Sequence, residues 1–212
     1  MDNLLSLQQL AGFLLASILI TLAPGPDNLL VLSLGVARGR RAGIAFGLGC
    51  AAGCLNHTAL AALGVSALIA ASQTAFSALK MAGGLYLIWI GYQAIRHAGE
   101  ADAVPDTGNA SANARQLFVK GLVANAINPK VVLFFLAFLP QFVDTASGHS
   151  GWQILQLGSL FALQAGLIFG LIGWSAGTLG GWFRRTPGIS HGLNRIAGGV
   201  FILLGAKLIV DR

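Results

Sequence analysis

Apolar residues along this chain neither alternate nor recur every three or four positions. They come in long blocks separated by short polar breaks: Leu4 to Leu34, Ala42 to Ala71, Ala75 to Ile95, Gln116 to Leu139, Gly151 to Trp182 and Ser190 to Val210. Each block is long enough to cross a hydrocarbon layer roughly 30 Å thick as a helix. The roughly ten-residue alternation of a membrane β-barrel is missing. The pattern therefore predicts an all-α membrane protein with six transmembrane helices. The first block lacks a basic leading segment, has Asp2 as its only early charge and continues past Leu22, so it reads as a retained span and not a cleaved signal.

Composition agrees with this and removes alternatives. Of 212 residues 55% are hydrophobic and only 9% charged, against roughly 25% in soluble domains, and mean hydropathy is +0.74. The net charge of +6 forms no single basic face, so nucleic acid is not an expected partner. The basic residues cluster in alternate connections instead: Arg38, Arg40 and Arg41 in the first, Arg96, Arg115 and Lys120 in the third, and Arg184, Arg185 and Arg195 in the fifth. By the positive-inside rule these loops face the cytoplasm and both termini lie outside, with Lys207 and Arg212 weighing weakly against that. Cys50 and Cys54 share one apolar block at a spacing that suits neither a redox pair nor a metal set, so they read as buried and structural.

The longest loop, "GEADAVPDTGNASANARQ" from Gly99, is small and polar and reads as a cytoplasmic linker. It divides a single transmembrane domain into repeat one (1–95), a linker (96–115) and repeat two (116–212). "KMAGGLYLI" from Lys80 matches "RIAGGVFIL" from Arg195 class by class over nine positions, and "APGPDNLL" from Ala23 echoes "AINPKVVL" from Ala126. Three spans per half make the repeats inverted, the sequence signature of secondary transporters.

The two echoing segments cut helices 1 and 4 near their middles. Pro24 and Pro26 lack N–H groups and Gly25 loosens the backbone, as Pro129 does after Asn128, so unpaired backbone is expected there, tolerated at membrane depth only inside protein or beside a wet cavity. Asp27 and Lys130 are the only acid and clear base in the central parts of the spans. Each costs at least about 2.5 kcal/mol at the bilayer centre, so they should face a cavity or one another. They can form a structural ion pair, or they can bracket a zwitterion, Asp27 attracting an ammonium while Lys130 and the helix N-terminus beyond Pro129 attract a carboxylate. Asp27 is also a candidate proton carrier. Asn28, Asn125 and Asn128 lie at or near the breaks and join the candidate site. Asn56, His57 and Gln164 are candidate cavity-lining groups that interhelical hydrogen bonding would equally explain. Glycines at 43, 47, 49 and 53, and at 166, 170, 173, 177 and 181, predict close helix packing on helices 2 and 5, and would permit a homodimer.

Taken together, "APGPDNLLVL" at Ala23, "RGRRAGIAFGLGCAAG" at Arg38, "LKMAGGLYLIWIG" at Leu79 and "NPKVVLFFLAFLPQF" at Asn128 resemble the LysE/RhtB family of amino-acid exporters over essentially the whole chain, with the RhtB-like branch closer. The resemblance implies an inner-membrane carrier that expels amino acids of the threonine, homoserine or leucine type, driven by the proton gradient. It also implies that Pro24 to Asp27 and Asn128 to Lys130 belong to the translocation site. Export of basic amino acids, or of another small metabolite or cation, is the alternative, although the core lacks a cluster of metal ligands. No nucleophile with a base, phosphate loop or haem ligand pair points to an enzyme or a cofactor.

Overall fold

The computed structural model describes residues 5–23, 25–65, 72–97, 112–144, 148–185 and 187–210. Its regular elements are all helices, with no strand among the described residues. In chain order the helices are α1 (Leu7–Leu22), α2 (Pro26–Arg38), α3 (Arg40–Leu60), α4 (Gln73–Arg96), α5 (Ala114–Ala126), α6 (Pro129–Leu133), α7 (Ser150–Arg185) and α8 (Pro187–Val210). A π-helical turn, Ala61–Val65, prolongs α3, and α6 continues through a π-helical stretch, Phe134–Phe138, into a 3-10 turn, Leu139–Phe142. Three helical segments, Arg40–Gly64, Gln73–Arg96 and Ser150–Ala176, are long and apolar enough to span a bilayer, and the total rises to five if each bent pair, α1 with α2 and α5 with the α6 segment, is one span. The chain is a multi-pass membrane protein.

Local sequence explains where the bent helix pairs begin. Ser6 caps α1 and Asn113 caps α5, each in a reciprocal capping box, with Gln9 and Gln116 at the third helical position. The inner half-helices also start alike, with a proline in the first turn after Gly25 in α2 and after Asn128 in α6. Across the breaks the axes turn by 56° and 53°. Between α2 and α3 only Gly39 intervenes, at φ +86°, a backbone region that a side chain resists. Pro24, the end of the second apolar block at 66–71 and most of the expected linker, at 98–111, lie outside the described residues. The fifth block extends to Arg185, and α8 starts at Pro187, three residues before the expected Ser190.

Glycine decides which helices touch. A Cβ at Gly43 would meet the backbone of α2 and α7, and one at Gly53 would meet Asn125 and the Leu122 carbonyl of α5. A Cβ at Gly49 or Gly121 would strike, respectively, the Phe118 and Phe46 carbonyl oxygens. Between α4 and α8, Gly84 abuts Gly205 and Gly91 abuts Gly198, a reciprocal contact repeated after two helical turns. Here the seven-residue spacing, not the four-residue one read along α3 and α7, brings backbones together. In lipid, where apolar burial drives little association, such close approach supplies van der Waals contact directly.

The same contacts give the helix directions. Gly43 beside Gly173 and Gly47 beside Phe169 make α3 and α7 antiparallel. Gly49 beside Phe118 and Gly53 beside Leu122 make α3 and α5 parallel, while the Gly84 and Gly91 contacts make α4 and α8 antiparallel. Outward faces carry apolar stripes, Met81, Leu85, Trp89 and Tyr92 on α4, and Leu163, Leu167, Leu171 and Trp174 on α7.

Two glycines on α7 provide a matched test of this packing. A Cβ at Gly173 would stand 2.6 Å from the Ile44 amide nitrogen, whereas Gly170 has nothing within 4 Å. Gly173→Ala is expected to cost about 1–3 kcal/mol and lower the detergent melting temperature. Gly170→Ala is expected to be neutral or to gain up to ~1 kcal/mol from helix propensity, read in the same thermal scan.

Candidate functional site

The two breaks face each other at the centre of the molecule. Asp27, in the first turn of α2, is 2% exposed, and Lys130, in the first turn of α6, is 6% exposed. Both line one small cavity, together with Ile20, Thr21, Cys54, Asn125 and the aromatic side chains of Phe134, Phe161 and Phe169. Its volume is about 10 Å³, room for roughly one water. A bound amino acid would need the helices to part.

Each charge is held by the opposite half of the chain. An Asp27 carboxylate oxygen accepts a hydrogen bond from Asn125 Nδ2 at 3.0 Å. Asn125 lies in the last turn of α5, and its backbone carbonyl is 3.1 Å from His57 Nε2 of α3. The Cys54 thiol donates to Asn125 Oδ1 at 3.6 Å, so one asparagine ties α2, α3 and α5 together. Gly53 leaves the space for it, since a Cβ there would lie 2.9 Å from the Asn125 side chain.

The Lys130 ammonium does not hydrogen-bond to Asp27. It reaches the end of α1, donating to the Ile20 carbonyl at 3.3 Å and to the Ala23 carbonyl at 3.1 Å. These carbonyls are left over where a helix stops, at the negative end of its dipole, which explains why a cation settles there. Asn28 serves the same end of α1, its Nδ2 donating to Thr21 at 2.9 Å and to Leu22 and Ala23 at 3.3 Å. Asn128 caps α6, accepting from the Lys130 amide at 3.1 Å. Gln164 of α7 donates to the Thr21 hydroxyl at 2.9 Å.

Among the side chains at this centre, Asn28 Oδ1, Asn128 Nδ2 and Gln164 Oε1 are buried with no hydrogen-bond partner. Such groups are costly in a finished core and mark a place where another molecule or another conformation supplies the partner.

Of the residues singled out from sequence, the structure gathers Gly25, Pro26, Asp27, Asn28, Asn125, Asn128, Pro129 and Lys130 around the breaks, with His57 and Gln164 in direct support. Pro24 is outside the described residues. Asn56 is not brought here: it is exposed, while the next residue, His57, turns inward. Thr21 and Cys54 line the cavity, and sequence reading missed both. Thr21 could have been noticed as the last polar residue before the break, and Cys54 from its position three residues before His57 on the same helix face.

On one side the centre is closed by stacked rings. Phe134 contacts Phe13, Phe135, Phe138 and Phe161 at centroid distances of 5.0–6.1 Å, and Phe142 extends the cluster through Phe13 and Phe138. On the other side α2, α3 and α7 meet through Gly35, Gly43, Gly47 and Gly173. Among the described residues no group of three or more His, Cys, Asp or Glu side chains gathers as metal ligands would.

The model of the LysE type translocator matches residues 18–212 of this chain. The chain belongs to that family. A homoserine/homoserine lactone efflux protein of Salmonella typhimurium is 31% identical over 201 residues, 95% of this chain and 96% of the relative. A threonine efflux protein of Escherichia coli is 30% identical over 205 residues, covering 92% and 94%. An uncharacterized membrane protein of Pseudomonas aeruginosa is 32% identical over 199 residues, 92% of each chain. No solved structure matches this chain.

Proposed function

We propose that this protein is a secondary transporter of the bacterial inner membrane that exports neutral amino acids in exchange for protons. The observation that carries the reading is the small cavity between two bent helix pairs, lined by Asp27 with its Asn125 partner and by the Lys130 ammonium that sits on α1's carbonyls. A transporter needs a site near mid-membrane that opens to either side in turn, and broken helices supply both the polar groups and the hinges.

In this reading the chain crosses six times as one transmembrane domain, as two inverted repeats, 1–95 and 116–212, joined by a cytoplasmic linker at 96–115. The paired capping boxes at Ser6 and Asn113 support it, as do the paired prolines at 26 and 129 and the helix directions, which all agree with alternating crossings. The charge bias supports cytoplasmic placement of Arg38, Arg40 and Arg41 and external termini. With that orientation the phenylalanine cluster closes the outer side and the glycine-lined packing of α2, α3 and α7 the inner side.

The cargo named for the relatives suggests which group is recognised. Homoserine, its lactone and threonine share a primary ammonium, whereas a lactone has no free carboxylate. An ionised Asp27 attracts an ammonium from the cytoplasm. When Asp27 takes a proton on the outer side, the attraction falls and the amine is released; return of the proton to the cytoplasm restores the carboxylate. One proton enters for each zwitterion expelled, so the cycle moves net positive charge inward.

Efflux of a panel of labelled amino acids from proteoliposomes tests this. The expected result is efflux of small neutral amino acids that rises when the outside is made acidic and loses that stimulation when a protonophore collapses the pH difference. Export confined to lysine and arginine would move the protein to the basic-substrate class, and no amino-acid efflux by correctly inserted protein sinks the proposal.

A further inference from the structure

α1 ends beside the cavity with carbonyls that have no following helical N–H. Asn28 covers part of this terminus, and Lys130 Nζ takes the Ile20 and Ala23 carbonyls at 3.3 and 3.1 Å. The ring of Phe201 in α8 lies beneath the same nitrogen, 5.9 Å from it to the ring centroid. Two carbonyls at the negative end of a helix dipole, an aromatic face and the Asp27 carboxylate on the same cavity form a cage whose chemistry suits a primary ammonium. Gly25 completes the cage by lacking a side chain, since a Cβ there would lie 2.8 Å from Nζ. Its extended backbone, φ −175° and ψ 174°, is open to any residue, so space for the ammonium is what glycine provides here.

We propose that this cage is the substrate's ammonium site, and that Lys130 fills it as a resident surrogate whenever the carrier is empty. The inference rests on the export reading above. A lysine terminus and an α-ammonium are the same chemical group, each with three N–H donors, and one cage holds only one of them. An arriving amine displaces Nζ, freeing a charged side chain to turn towards the amine's own carboxylate or the unpartnered Gln164 and Asn28 oxygens. When the amine leaves, Nζ returns, the carbonyls are satisfied again and the cavity shrinks to the one-water volume of this structure. The empty carrier therefore resets with its cation site occupied and needs no amine from outside. Lys130 thereby favours net export over one-for-one exchange, while the proton on Asp27 supplies the driving force.

Lys130→Gln removes the surrogate. In proteoliposomes the ratio of net efflux to substrate exchange is expected to fall by about tenfold or more relative to wild type. Equilibrium affinity for a labelled amino acid that the wild type exports is expected to rise by a similar factor, because an internal competitor is gone. A lysine that only braced the helices, or only bound the carboxylate, would lower that affinity, so weaker binding or an unchanged ratio overturns the proposal. Gly25→Ala narrows the cage for whichever ammonium occupies it, so it should lower affinity for the labelled amino acid; Lys130→Met, which keeps the length and has no N–H, should shift both readouts as Lys130→Gln does and carries the test if that variant does not fold. Methylammonium separates the cage from the export reading: it should raise the melting temperature of the purified variant more than that of wild type, whereas tetramethylammonium, which has no N–H, should not. A wild type that exports no amino acid defeats the export reading, and a variant indifferent to methylammonium defeats the cage.

Discussion

Replacing Asp27 by asparagine is expected to lower gradient-driven amino-acid efflux by roughly 10- to 100-fold while the protein still inserts and folds. The magnitude follows from losing a charge-assisted contact to the substrate's ammonium, worth about 1.5–3 kcal/mol. Folding survives because an asparagine carbonyl at position 27 can accept the same hydrogen bond from Asn125 Nδ2 that the carboxylate accepts at 3.0 Å. The substitution also removes the group assigned to carry the proton. Any residual transport should therefore no longer respond to the pH difference, whereas wild-type efflux should rise as the outside is acidified. Two measurements check this: initial efflux rates at several imposed pH differences, and melting temperature as a control for folding. A variant that keeps both its rate and its pH response would remove Asp27 from the mechanism.

Phe134→Ala should have the largest effect on stability and should also break occlusion. Phe134 is fully buried and its ring meets four others, so truncation is expected to cost about 3–5 kcal/mol if the void does not collapse. Association in lipid depends on contact more than on water exclusion, which makes a lost ring felt as lost dispersion energy. Phe134 also lines the cavity, so its removal joins the one-water space to whatever lies beyond the cluster. Passive leak of substrate across proteoliposomes should rise, and efflux should become less dependent on the proton gradient. Phe134→Leu, which keeps most of the volume, should restore stability more fully than tight coupling. If both variants transport with wild-type coupling, the cluster is not the outer seal.

Much of the candidate site was legible in the chain, because its residues are chemical exceptions. An acid, a lysine and two proline breaks within apolar runs cost free energy in lipid, and a cost of that size draws attention without any coordinates. His57 and Gln164 followed by the same logic. Thr21 and Cys54 escaped because a hydroxyl and a thiol are cheap to bury, and Asn56 misled because an amide near a helix end can equally well face outwards. Glycine spacing on α3 marked real contacts at Gly43, Gly47, Gly49 and Gly53, yet on α7 Gly170 touches nothing while Gly173 meets α3 backbone.

By itself the sequence determined that this protein lives in a membrane, that it is helical, where its helices break and which two charges lie inside. Those properties depend on transfer energies and backbone chemistry, which are local. Only the tertiary structure decided that Lys130 sits on the carbonyls of α1 while Asn125 takes Asp27. The partners stand 98 to 110 positions apart along the chain, and nothing in helical periodicity says which half-helix end a flexible side chain will reach. That choice is made by the backbones that glycine lets approach, by the dipole at the end of α1 and by a cavity too small for both charges to remain solvated.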